Sequence, residues 1–156
     1  MADLTTTVTE SVVLNGAVRG TTNTVTTTGI NNVYERIVTC IIAQTTHLAT
    51  FNNDNYGSAV QLDLQDVRYI RITNLDVTNT VNLSLQIDRH NNDSAADESA
   101  TISLQAGHSF IMGTPHDAIA VSCEEATIDT SMHDLESILV DSADQAVKLE
   151  IFVAGA

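Results

Sequence analysis

The segment Val67–Asp88, VRYIRITNLDVTNTVNLSLQID, constrains the fold more than any other part of the chain. Val81, Leu83, Leu85 and Ile87 alternate without a break with Asn82, Ser84, Gln86 and Asp88. Successive side chains of an extended strand point to opposite faces, so this pattern predicts a strand with one buried and one solvated face. A second apolar run, Val67–Leu75, precedes it, and the polar segment NLDVTNT separates the two. Asn and Asp favour turns by bonding their own backbone, so the whole segment predicts a hairpin.

The same signals recur along the chain. Further strands are predicted over Thr7–Leu14, Asn23–Thr28, Val33–Ala43, Ala59–Leu64, Ala100–Gln105, His108–Met112, Ala118–Cys123, Ser137–Val140 and Val147–Val153. The punctuation is LNGAVRG, TGINN, NNDNYG, HNNDSAADES, QAGH and GTPHD, and Pro115 is the single proline. Short strands at this spacing predict an all-β protein, either an antiparallel β-sandwich or a jelly-roll-like barrel. Ile37–Ala43 and Ala118–Val121 are apolar on both sides, which fits central strands or strands covered by a partner subunit. Helix is expected for at most a turn or two, over Ala126–Asp134. Residues 1–30 are thin in apolar groups and rich in Thr. They are expected to form an N-terminal arm or edge strands, with residues 31–156 forming the sandwich domain. An arm ordering against a neighbour and a fraying terminus both remain open.

Composition narrows the function. The chain has 156 residues, which fits one domain, and 43% of them are hydrophobic, enough for a core. No apolar run approaches the ~18 residues of a membrane helix. MADLTTTVTE has no basic stretch followed by an apolar one, so no signal peptide is expected and synthesis in a cytoplasm is. Net charge is −14, from six basic and twenty acidic residues. Nucleic acid and anionic membranes demand a cationic surface, so neither is an expected partner. High negative charge instead keeps copies soluble when they are crowded. Aromatic residues are 4% and Trp is absent, which suits a carbohydrate platform poorly.

No catalytic, cofactor-binding or metal-ligating residue is expected. There is no G-x-S-x-G elbow, glycine-rich phosphate loop or H-E-x-x-H. Cys123 could be paired on paper with His108, His116 or His133, but it lies in the apolar run IAVSCEE, and reactive thiols need electropositive, accessible surroundings. A Cys40–Cys123 disulfide is conceivable, yet a cytoplasmic origin favours free thiols. His108, His116, Asp117 and His133 match no compact zinc spacing, and solvated turn histidines are expected. From Asn52 to Asp63 the EF-hand positions fall on Asn52, Asp54, Tyr56, Gly57, Ser58, Val60 and Asp63; Tyr and Val are unsuitable ligands. The acidic loop Asp88–Glu98 lacks a diagnostic calcium pattern. Glu124 and Glu125 are adjacent, so a strand would send them to opposite faces, which is poor acid–base geometry. Arg68 and Arg71 stand among apolar neighbours and call for carboxylates, with Asp63, Asp66 and Asp76 as local candidates; surface arginines on an edge strand are the alternative.

VRYIRITNLD, VNLSLQID, the QAGHSFIM hairpin and the carboxy-terminal VKLEIFVAGA together resemble small virion structural proteins of tailed bacteriophages, particularly short-tailed marine and cyanobacterial ones. The early LNGAVRGTTNTVTTTGINNVYERIV is similar to the opening of such proteins. The resemblance spans most of the chain but consists of strand and turn patterns and transfers no catalytic residue. It implies a non-enzymatic, all-β protein carried in many copies on a virion. The form expected is a capsid decoration or cement protein, a homo-oligomer with a trimer favoured, whose partners are itself and the major capsid protein. Tail, neck or host-attachment roles, and a non-viral ligand-binding sandwich, are the alternatives.

Overall fold

The computed structural model describes residues 1–52, 61–88, 98–122 and 128–156. Its strands are β1 (Ala2–Thr9), β2 (Val12–Leu14), β3 (Ala17–Arg19), β4 (Thr22–Ile30), β5 (Asn32–Cys40), β6 (Thr46–Asn52), β7 (Gln61–Asp63), β8 (Val67–Asn74), β9 (Val81–Asp88), β10 (Glu98–Leu104), β11 (Ser109–Met112), β12 (Asp134–Asp141) and β13 (Val147–Gly155). The body is a sandwich. One sheet has the order β10-β9-β12-β6-β7 and the other β11-β8-β13-β5. The sheets stay separate, so the sandwich of the two expected architectures is the one formed. Among the described residues all pairings in the two sheets are antiparallel except β6 with β7.

The alternating run of β9 behaves as its period requires. Val81, Leu83, Leu85 and Ile87 are buried, while Asn82 is exposed and Ser84, Gln86 and Asp88 are half-buried. Opposite it, Ile70 and Ile72 of β8 and Leu149, Ile151 and Val153 of β13 belong to the same buried cluster. Ile72 and Ile151 are direct cross-strand partners. Burying each such side chain contributes about 1.5–3 kcal/mol, so the interior is held by aliphatic packing.

Four expectations need correction. The hairpins expected over Val67–Asp88 and at QAGHSFIM do not form: β8 and β9 lie in different sheets, as do β10 and β11, so each of these turns carries the chain from one sheet to the other. Among the described residues β5 pairs with β13 alone and is an edge strand, so its apolar run is not that of a central strand. Ile37 points outward and is 61% exposed, and Ile41 and Ile42 lie beyond the strand, also exposed. Ala43, at φ 57°, follows them before β6 begins. Ala118–Val121 form no strand; Ile119 makes only an isolated bridge to His133. The short helix fails over its described part, because residues 128–133 are irregular and β12 starts at Asp134. Residues 123–127 lie outside the described part.

The NLDVTN turn is organised by Asp76. Its Oδ1 accepts from the backbone N–H of Asn79 (2.7 Å) and of Thr78 (2.8 Å), and also from both side chains. The two N–H donors, Asn79 first, hold the carboxyl down to about 2 from an ordinary 3.8. Because the folded value lies below the unfolded one, the stabilisation is complete above pH ~4 and fades as pH falls towards 2. A carbon-detected NMR titration should place the Asp76 midpoint near 2; a midpoint near 3.8 would show that the turn does not hold it.

Candidate functional site

The part of the molecule that its own core does not explain is the N-terminal ribbon. β1 pairs with β4 from Ala2↔Ile30 to Thr9↔Thr22, and β2 pairs with β3 beyond it. Asn15 and Gly16, at φ 52° and 77°, close the tip as a two-residue hairpin turn. Both positive φ angles match a type I′ turn, whose twist suits paired strands and which favours Asn-Gly. The two sections are joined by the Glu10 N–H, which donates to Thr21 O at 2.8 Å. Gly20 is required there: its φ is 126° and an added Cβ would stand 2.1 Å from Glu10 O.

At about 3.3 Å per residue, Ala2–Leu14 gives a ribbon on the order of 40 Å long. Its close contacts are chiefly internal, β1 to β4 and β2 to β3. One face carries threonine ladders, with the Thr7 and Thr24 hydroxyls 3.2 Å apart and Thr22 Oγ1 donating to Thr9 Oγ1 at 3.3 Å. Val8, Val12, Val13, Leu14, Val18 and Val25 are all exposed, Val13 by 68% and Val18 by 76%. Val13 and Val18 are direct cross-strand partners. An isolated two-stranded ribbon is marginal in water, and aliphatics this exposed add nothing to its stability unless something covers them.

The ribbon base lies over the outer face of the four-stranded sheet. Between them runs an open groove of about 330 Å³, bounded by Leu4–Val8 on one side and Tyr69, Arg71, Ile111 and Phe152 on the other. Arg71 fixes its floor. Its guanidinium pairs with Glu150 at 2.7 Å, donates to Thr73 Oγ1 at 2.7 Å and lies 5.9 Å from the centre of the Phe152 ring. The carboxylate therefore comes from β13, not from Asp63, Asp66 or Asp76. Arg71 faces Phe152 in register, which puts Glu150 on the diagonal, within reach of a long side chain. Arg68 is exposed and donates to the carbonyls of Gln65 and Val67.

The chemical candidates are scattered. His116 and Asp117 do come together, with Asp134 as a third member absent from the sequence reading. His116 Nδ1 is 2.8 Å from Asp134 Oδ1 and its Nε2 is 3.3 Å from Asp117 Oδ2. Asp134 Oδ1 also accepts the Asp117 N–H at 2.8 Å, and Leu135 N–H donates to Pro115 O at 2.9 Å. These bonds clasp the loop before β12 to the start of that strand. Among the described residues this is the one group of His, Cys, Asp and Glu with metal-compatible spacing. His108 is apart, its Nδ1 2.9 Å from Ala106 O, and His133 takes part in the bridge to Ile119.

Cys40 is a free, buried thiol. Burial, and secondarily the charge of Asp141, push it up to about 11, so it stays protonated at neutral pH and supplies no nucleophile. Cys123, Glu124, Glu125, most of the Asn52–Asp63 segment and the interior of the Asp88–Glu98 loop lie outside the described residues. No protein-family model, curated protein or solved structure matches the chain.

Proposed function

We propose that this chain is a non-enzymatic structural protein of a bacteriophage virion, a decoration protein that stabilises the capsid shell. It would be made in the host cytoplasm and act on the particle, with the major capsid protein and further copies of itself as partners. The single observation that carries the reading is the ribbon: a stiff sandwich bears a long two-stranded extension whose aliphatic side chains have no cover. Such a shape suits a protein that works in an assembly, with the ribbon joining copies and the body as a rigid block presented to the shell. The sequence resemblance to small phage virion proteins supplies the biological setting. A protein that binds only the assembled shell stabilises it by mass action, and repetition over a symmetric lattice turns modest contacts into firm ones.

Immunogold electron microscopy of particles from a producing culture tests the placement. Even labelling of the heads is the expected result. Label confined to neck or tail, or no label on any particle, would overturn the decoration role. Particles stripped of the protein should also lose DNA at a lower temperature than intact ones.

A further inference from the structure

We infer that the exposed aliphatics of the ribbon, Val13 and Val18 on one face of its outer section, Val12 and Leu14 on the other, and Val8 and Val25 in the β1–β4 section, are docking contacts for other copies of this same chain. The inference names the surface behind the self-association in the proposal above. It rests on that part of the reading and not on the shell.

Charge identifies the occupant. Only two of the twenty carboxylates, Asp3 and Glu10, lie in residues 1–30, together with one of the six cationic side chains, Arg19. The other 126 residues hold eighteen carboxylates and five cations. Any second copy brings the same net charge of −14. Two such bodies repel wherever their sandwiches meet, and like charges facing each other across an interface are costly. The ribbon offers a long surface on which copies can approach with few carboxylates between them. A cationic partner would be drawn to the sandwich instead, and nucleic acid or anionic lipid would be repelled by the chain as a whole.

Shape and stability agree with this. Beyond its base, which lies over the outer face of its own sheet, the ribbon's close contacts are chiefly internal, so cover for its exposed aliphatics has to come from outside. Valine and leucine on one ribbon can pack against the same residues on another, which removes apolar surface from water on both sides. Each ribbon then gains the third and later strands or packed face that an isolated hairpin lacks. A closed symmetric ring is the usual outcome of such repetition.

The salt response separates this contact from an ionic one. Screening length falls from about 10 Å at 0.1 M salt to about 3 Å at 1 M. Repulsion between acidic bodies fades over that range, while apolar packing persists. The association should therefore hold or tighten in 1 M NaCl.

The experiment is light scattering coupled to size-exclusion chromatography, on the full chain alone, across a hundredfold range of concentration. The wild type should have the mass of a discrete oligomer. Val13→Lys combined with Val18→Glu exchanges a facing aliphatic pair for an opposite-charge pair, so the hairpin keeps a favourable cross-strand contact and the net charge is unchanged. Its association should weaken at least tenfold, with the circular dichroism spectrum retained. A second variant, Val8→Ser with Val25→Ser, acts on another part of the ribbon and should weaken it too. A monomeric wild type, dissociation in 1 M NaCl, or folded variants that keep the wild-type mass would each overturn the inference. None of these results depends on a capsid, so failure here and failure of the shell placement are distinguishable.

Discussion

Replacing Asn74 by alanine should lower the stability of the sandwich by roughly 3–5 kcal/mol. Asn74 is fully buried at the end of β8. Its Nδ2 donates to the carbonyls of Asn79 at 2.9 Å and Leu104 at 3.2 Å, and its Oδ1 accepts from the Asp76 N–H at 3.0 Å. Its main chain is used as well: the N–H donates to His108 O and the C=O accepts from Gly107 N–H. One residue thus ties the end of β8 in one sheet to the end of β10 in the other, and both to the turn that carries the chain from β8 across to β9. Alanine keeps the main-chain bonds but leaves three groups without their partner. Each orphaned buried group costs about 1–3 kcal/mol, and water reaches part of the turn, which keeps the total in the lower part of the roughly 3–9 kcal/mol that three such groups could cost.

Asn74→Asp should be worse at neutral pH. It retains the acceptor for Asp76 N–H but presents an anionic oxygen to two carbonyl oxygens in a buried site. That carboxyl would titrate higher in the folded state than in the unfolded one. Its penalty would then be greatest at high pH and relieved as pH falls through the folded value, where a protonated oxygen can donate once. Urea denaturation at pH 7 and pH 5 checks both variants. Equal stability of the alanine variant and the wild type would mean that the two sheets are joined at this end by packing alone.

Asn74 also marks how far sequence reading reaches in this fold. Val81–Ile87 announced their strand and their buried face, because periodicity is a local property that burial on one side enforces. LNGAVRG and NLDVTN announced turns, because Asn-Gly and Asp supply the backbone conformations and acceptors that turns need. The partners of Asn74 were not legible. Leu104 and His108 are about thirty residues away, and only the pairing of sheets brings them close. Arg71 shows the same limit: nearby Asp66 and Asp76 were the visible candidates, whereas Glu150 becomes a neighbour through the β8–β13 register. Asp134 was missed beside His116 and Asp117 for that reason too. The β5 run misled differently. Aliphatics on both faces look like a buried central strand, but Ile37 is exposed on an edge, and a sequence cannot distinguish a core from a surface awaiting cover. The Thr-rich start concealed a ordered ribbon because its apolar residues are sparse and serve no internal core.

Phe51→Ala should be the most damaging truncation of an apolar side chain in the described core, with a loss of about 3–5 kcal/mol. Phe51 is the largest of the fully buried side chains, 2% exposed, in β6. It faces Leu62 of β7 across the parallel pairing. β7 is only three residues long and lies at a sheet edge, so few ladder bonds hold it and side-chain packing must do much of the work. Alanine would leave a cavity that neighbouring β-branched aliphatics cannot close, since their rotamers are stiff. For a chain of this length, 1 kcal/mol corresponds to roughly 2–4 °C, so a drop on the order of 10–15 °C in melting temperature is expected. Phe51→Leu, which retains more of the volume, should lose markedly less. The ribbon is built of separate strands and its docking residues are elsewhere, so below its melting temperature the Phe51→Ala protein should keep the mass of the wild type. A truncation that also dissolved the assembly would show that body and ribbon are one cooperative unit, and the ribbon variants would then have to be reread as stability variants.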